Sequence, residues 1–337
     1  MNNKFFPSNF LFMSIMFLGT IFSISSSHWL TMWMGLELNL MGFLPMINTK
    51  GKSLEAEAST KYFIIQSMSS SILIFSSTLL YMSNISWYSM INNNLMTTLM
   101  LLSLVLKLGG APMHFWLPSI SKQMSWGILF ILLTWQKLAP MFMMSLLNTN
   151  LPLIMTISVL STVMGSIMAL NQTNLQLIIT YSSISHLGWM LSTIMINMSI
   201  TLFYFINYII ISIPIMFMLK TYLGNHLFLL TKMNSLNPMI MMSLMLSLAG
   251  LPPLLGFMSK LFSMMMMIKT KLFIMCMMML LGTLISLYFY LNMTLMLMIK
   301  SFMTSTKMTK NKMYNFFIPL NILSSFIIFP LIIVFIN

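Results

Sequence analysis

The sequence predicts an all-α polytopic membrane protein of about eleven transmembrane helices, some of them broken. Three observations carry that prediction. Of 337 residues, 58% are hydrophobic and 6% charged, whereas about a quarter of the residues of a soluble domain are charged. Apolar runs long enough to cross a hydrocarbon core of about 30 Å recur along the full length. Two of these runs are interrupted by glycine and proline, at LGGAP (108–112) and at AGLPP (249–253). Irregular backbone at membrane depth is tolerated only where it is buried in protein or lines a water-filled cavity.

Taken in order, the first two spans are predicted at about 10–27 and 28–47, the second carrying Glu37 nine residues in. A connection holding Glu55 and Glu57 reads as solvated, and a third span follows at about 59–82. The uncharged stretch SNISWYSMINNN leads to the fourth span, about 95–113. Its twelve uncharged residues from Leu95 run straight to Lys107. At about 1.5 Å of rise per residue they cover roughly half the core, so Lys107 falls near mid-membrane, just before the break. The fifth span, about 124–146, holds Lys137 at similar depth. Spans at about 151–169, 175–197 and 199–219 follow, the middle one placing His186 among Ser182, Ser183, Ser185 and Trp189. The run 236–268 is too long for one straight helix; it breaks at AGLPPLLGF and then carries Lys260. Spans at about 273–298 and 314–336 complete the count.

The formal net charge of +13 would suggest nucleic acid in a soluble protein. Here eleven lysines fall on the side of the membrane that holds the N-terminus and two, Lys269 and Lys271, on the other. The positive-inside rule accounts for that asymmetry and puts the N-terminus on the cytoplasm-equivalent side, the matrix in a mitochondrion; no nucleic-acid partner is expected. The 45 methionines, with neither arginine nor aspartate, resemble the codon bias of an AT-rich invertebrate mitochondrial genome. Leu, Ile and Met are near-interchangeable in apolar helices, so the bias leaves the fold alone. No Arg-rich transit segment opens the chain, which is expected to be made and inserted whole.

Redox chemistry by this chain is not expected. Its one cysteine, Cys276, can hold neither an intrachain disulfide nor an iron–sulfur cluster. No GxGxxG, no Walker loop and no haem-ligand pattern occurs, and runs such as Met264 to Met267 read as packing rather than as a soft-metal site. The expensive residues are instead Glu37, Lys107, Lys137 and Lys260. A lysine at mid-membrane costs about 2.5–3.5 kcal/mol on insertion scales, and more facing lipid. One buried Glu–Lys pair could serve only to orient helices. Four ionisable residues at similar depth, two of them beside helix breaks, favour an ion path. His186 reads as a relay rather than a packing histidine, whereas His114, in the HFW that follows the first break, is open between interfacial anchoring and the path.

The two breaks echo one another: LGGAPMHFWLPSISK and LAGLPPLLGFMSK share a Gly/Pro interruption, a following Phe and a Ser-Lys. They lie five spans apart and so cross the membrane in opposite senses, the pattern of inverted-repeat transporters whose paired broken helices mark the ion site. The echo is short and alone leaves the repeat open.

In order, WMGLELNLMGFLP, LKLGGAPMHFWLP, TWQKLAP, YSSISHLGWM and AGLPPLLGFMSK resemble the NADH–ubiquinone oxidoreductase chain 2 family, the mitochondrially encoded antiporter-like subunits of respiratory complex I. The likeness covers nearly the whole chain. It implies two inverted five-helix repeats, about 10–146 and 151–298, and a C-terminal helix at about 314–336, the first three helices of the longer family members being absent. It also implies a line of charges: Glu37 with its partner Lys107, the central Lys137, and Lys260 after the second break, with His114 and His186 beside or between them. The implied function is proton pumping across the mitochondrial inner membrane, with NADH, FMN, iron–sulfur clusters and ubiquinone handled by other subunits. Neighbouring antiporter-like chains, accessory subunits and lipids such as cardiolipin are the implied partners. A stand-alone cation/proton antiporter and a non-pumping structural subunit are the competing classes.

Overall fold

The computed structural model describes residues 7–49, 51–85, 89–147, 151–221, 236–252 and 254–303. Every regular element among them is a helix, and the chain divides into two compact units, Met1–Ile154 and Met155–Asn337.

The first unit opens with α1 (Pro7–Ser25) and α2 (Trp29–Ile47), an antiparallel pair whose contacts run through glycine. A Cβ on Gly35 would lie 2.7 Å from the backbone nitrogen of Ser23, and one on Gly42 would lie 2.7 Å from that of Met16. Small residues allow this approach, which matters in a membrane because helices there associate by packing rather than by the hydrophobic effect. Next comes α3 (Ser53–Ile85), joined to α2 through the edge-on rings of Phe43 and Tyr62, 5.2 Å apart. α4 (Ser89–Leu108) packs on α3 and ends at the first break. The short α5 (Trp116–Ser121) follows, then α6 (Trp126–Leu133) and α7 (Trp135–Ser145).

In the second unit, α8 (Leu151–Leu170, begun in the first unit) leads to α9 (Leu175–Ile194), buried on nearly every side. α10 (Met198–Thr221), α12 (Leu255–Lys269) and α13 (Phe273–Met303) pack against it, and α11 (Leu236–Ala249) packs on those three. Phe203 of α10 meets Phe262 of α12 edge-on at 5.2 Å. Large apolar side chains stand exposed on the outer faces, among them Phe10, Leu18 and Ile21 on α1 and Ile274, Met277 and Leu281 on α13. Such faces suit hydrocarbon rather than water.

By length and apolarity, seven helical segments among the described residues could cross a membrane. The other predicted spans are built differently. α9 is a full-length helix whose apolarity is diluted by serine and threonine; α4 ends at Leu108, five residues before the predicted 113; and 236–268 is two helices, as its length requires. The predicted span at 314–336 lies outside the described residues, as do Lys4, Lys50, Lys232, Lys307, Lys310 and Lys312.

The predicted fifth span is present over Trp126–Ser145, with a break at Thr134, whose hydroxyl bonds the Phe130 carbonyl at 2.7 Å. Such back-bonding bends helices, and Pro140 removes the donor that the Gln136 carbonyl would otherwise receive. Glu55 is not in a solvated loop. It sits in the first turn of α3, 4% exposed, while Glu57, two positions on, is exposed and paired with Lys61 four residues further. An acid in a helix's first turn faces the positive end of its dipole, which favours extending α3 backward through both glutamates.

Candidate functional site

Both breaks are built by the same local chemistry. α4 stops where Gly109 takes φ +73°, and α11 stops where Gly250 takes φ +83°. The Gly110 nitrogen reaches back to the Val105 carbonyl (3.1 Å), as Leu251 does to Leu246 (3.3 Å). Gly109 bonds Leu106 and Gly250 bonds Ser247 in the shorter loop of the same cap. These are paired Schellman caps, in which a left-handed residue allows the last carbonyls to be satisfied. The structural match aligns Gly109 with Gly250, one position off the register in which LGGAP and LAGLP read alike.

Lys107 lies in the last turn of α4, 7% exposed. The carbonyls around it are occupied: the Trp116 indole nitrogen donates to Leu106 (3.0 Å), and Gln66 makes a long bond to the Lys107 carbonyl (3.4 Å). Glu37 is half-buried on α2, and its charge acts on Lys107 through space. Among the described residues the two do not close an ion pair.

Lys137 is 2% exposed in the first turn of α7, placed there by the break at Thr134. The positive end of the α7 dipole works against its charge. Lys107 and Lys137 line one cavity with Asn39, Tyr62, Gln66 and Gln136. It has room for a water molecule. Asn39 and Gln136 bond each other reciprocally, at 2.8 and 3.0 Å, clamping α2 to α7 one residue before the lysine. The neighbouring Trp135 ring packs edge-on against Phe17 at 4.4 Å, tying the same turn to α1.

His114 occupies the turn after the first break, 1% exposed and stacked on Phe115. Its Nδ1 lies 3.2 Å from the Pro112 carbonyl. A carbonyl only accepts, so Nδ1 carries the hydrogen and the neutral ring presents Nε2 as an acceptor. That Nε2 is buried with no hydrogen-bond partner among the described residues. A packing histidine would satisfy it; a proton acceptor needs it open.

In the second unit Lys260 projects from α12 and donates to the Ala249 carbonyl at 2.8 Å. The echo therefore splits: Lys260 is buried at 4%, whereas Lys122, its match in the first copy, is exposed after α5. His186 is 6% exposed on α9, with Nδ1 2.8 Å from the Tyr204 hydroxyl. Of the six residues singled out by sequence, the three lysines and both histidines are buried and Glu37 is half-buried. Sequence reasoning passed over Asn39, Gln136, Gln66 and Tyr62. The signal was present, since Asn39 is two residues from Glu37 and Gln136 adjoins Lys137 in otherwise apolar runs.

Residues 26–286 match the family described as NADH:quinone oxidoreductase/Mrp antiporter, transmembrane. A NADH-ubiquinone oxidoreductase chain 2 from Locusta migratoria is 38% identical over 311 residues, covering 89% of this chain and 90% of that one. The chain belongs to the NADH–ubiquinone oxidoreductase chain 2 family. The same protein from Anopheles gambiae is 38% identical over 328 residues, 95% of this chain and 94% of the other. A chain of respiratory complex I from Thermus thermophilus superposes with a TM-score of 0.78 at 23% identity, over 86% of this chain and 70% of its own length. At that identity the likeness speaks for the fold, an all-helical antiporter-like one. The apolar outer faces and family membership together make this a multi-pass membrane protein.

Proposed function

We propose that this chain is a proton-translocating membrane subunit of respiratory complex I, coupling NADH:ubiquinone electron transfer in other subunits to pumping across the mitochondrial inner membrane. The observation that carries the reading is the first unit's cavity: Lys107 and Lys137, two buried lysines, share one polar chamber while a carboxylate acts on the first from outside it. Glu37 and Lys107 do not close an ion pair, as a purely structural couple would be expected to, because an uncompensated buried charge is costly. Lysines that must alternate between charged and neutral need water, a neighbour and a modulating charge.

An ammonium taken out of water gives up its proton more readily, and a nearby carboxylate opposes that. Glu37 is held apart from Lys107, so a modest movement of α2 against α4 changes their coupling without breaking an ion pair. Weakening it releases a proton from Lys107 toward Lys137 by way of the cavity; strengthening it recharges Lys107. Lys260, hydrogen-bonded to the end of α11, forms the corresponding station in the second unit, and His114 and His186 hand protons to and from these lysines. Lys107→Met tests this in membranes carrying the variant complex: protons moved per electron pair should fall while assembly stays normal. Unchanged pumping would remove Lys107 from the path.

Electron transfer belongs to other subunits, which hold NADH, FMN, iron–sulfur clusters and ubiquinone; this chain binds none of them. Its partners are neighbouring antiporter-like chains, accessory subunits and lipids such as cardiolipin. The halves about 10–146 and 151–298 are inverted repeats, supported by the twin Schellman caps, and the lysine asymmetry favours a matrix N-terminus and an intermembrane-space C-terminus. Protease access in intact and inverted vesicles tests that orientation.

A further inference from the structure

The second unit contains a cluster of buried hydroxyls around His186 that the path above does not use. Tyr204 and Tyr208 stand one turn apart on α10, on the face turned to α9; Tyr290 approaches from α13. All three are 4% exposed or less. The Tyr204 hydroxyl meets His186 Nδ1 at 2.8 Å, and the Tyr208 ring lies 5.3 Å from the imidazole. The Tyr208 hydroxyl faces Ser183, and Tyr290 stands near both Tyr204 and Tyr208. The Tyr290 hydroxyl faces Ser182 without closing a hydrogen bond of ordinary geometry.

Packing alone does not explain this. Phenylalanine would supply the same rings, and each buried hydroxyl adds desolvation cost that packing does not return. Ser182 and Ser183 already donate to Ile179 and Thr180, at 2.8 and 2.7 Å, so their oxygens face the tyrosines as acceptors. What the cluster has, and a set of phenylalanines would lack, is a row of groups that each donate one proton and accept another.

We propose that Tyr204, Tyr208 and Tyr290, with Ser182 and Ser183, form a hydroxyl relay that exchanges protons with His186. The inference rests on His186 being part of the proton path. In the transfer step the Tyr204 O–H bond breaks as its proton goes to Nδ1. The same oxygen takes a proton from the next hydroxyl or a water, while Nε2–H passes its own to a water that carries it onward. One proton enters the ring and one leaves, the imidazole ends in its other tautomer, no phenolate persists, and nothing is oxidised.

The test uses assembled complex I in coupled membranes carrying Tyr204→Phe, Tyr290→Phe or His186→Ala. Protons per electron pair and coupled turnover are read at equal complex content. A positioned proton donor contributes about a hundredfold or more to a transfer, so Tyr204→Phe should cut coupled turnover by about tenfold or more even where other steps share control. Tyr290→Phe loses no well-formed hydrogen bond and should assemble normally, so impaired pumping there has no structural explanation. If His186→Ala pumps poorly while both phenylalanine forms pump normally, the relay is wrong and the histidine's role stands. If His186→Ala itself pumps normally, that role falls and the relay with it. Should Tyr204→Phe fail to assemble, Tyr290→Phe decides alone: impaired pumping supports the relay and normal pumping overturns it.

Discussion

The Lys260 ammonium donates to the carbonyl of Ala249, the last residue of α11, at 2.8 Å. The bond crosses the break between two helices, so the lysine both caps the negative end of α11 and holds α12 against it. Gly250 makes the approach possible: a Cβ there would come within 3.0 Å of Lys260 Cδ and 3.1 Å of Nζ. The helix break and the lysine placement are thus both set by one residue.

Gly250→Ala should therefore damage the protein in two separable ways. A left-handed backbone at φ +83° costs an ordinary residue about 1–2 kcal/mol, and the new methyl displaces the lysine. Gly51→Ala is the control, because Gly51 has φ +62° but nothing within 4 Å of its would-be Cβ. Both variants should lower the thermal stability of the assembled complex. Only Gly250→Ala should also lower pumping, and equal pumping by the two would detach Lys260 from the glycine.

A second prediction concerns the Asn39–Gln136 clamp. Asn39→Leu removes both Asn39 bonds from the half-buried Gln136 amide and leaves it only the long bond from the Tyr62 hydroxyl (3.5 Å), which should cost about 1 kcal/mol and shift the Thr134 turn. The double variant Asn39→Leu/Gln136→Leu replaces both partners with apolar groups of similar size, which is close to neutral for stability. If the clamp only holds α2 to α7, the double form recovers both melting temperature and pumping. If the amides also hydrate the cavity between Lys107 and Lys137, melting temperature recovers and pumping does not; the latter is expected.

At the α1–α2 crossing, Gly42→Val should disrupt assembly more than Gly127→Val. Gly42 faces backbone atoms of Met16 and Phe12 that cannot retreat, whereas nothing lies within 4 Å of a Cβ on Gly127. Immunoblotting of assembled complex against total chain reads the difference. Equal assembly would show that the two helices do not need their close approach.

Much of this was legible in the sequence because membranes make mistakes expensive. Lysines in apolar runs, and Gly/Pro breaks at depth, can be afforded only where function needs them, so Lys107, Lys137 and Lys260 stood out without any structure. The break at Thr134 was not legible: a threonine in a helix usually stays helical, and here it takes a back-bond and Pro140 six residues later to open the turn. Glu55 was misread for the opposite reason. Polar composition suggested a loop, but nothing in KSLEAEAST stops a helix, and α3 simply runs through it. The tyrosines around His186 were hidden because α9, α10 and α13 are distant in sequence, and aromatic residues in apolar spans read as packing until their hydroxyls are found together.

The last prediction concerns Lys137. It sits in the first turn of α7, where the helix dipole opposes a positive charge, and it lines the cavity shared with Lys107. Lys137→Met keeps length and apolarity, so folding should survive and can improve once a buried charge is gone. Pumping per electron pair should nevertheless fall sharply, and uncoupled NADH oxidation should fall less. Lys137→Arg separates the two roles a lysine can play. Arginine keeps the charge but does not release a proton in a protein, so a relay predicts a loss as large as that of the methionine form, whereas a fixed structural charge predicts rescue. Both forms are compared in coupled membranes at equal complex content, since the bulkier guanidinium can also crowd a cavity this small. Full pumping by Lys137→Arg would show that the residue supplies only a positive charge, and the proton path would then have to bypass it.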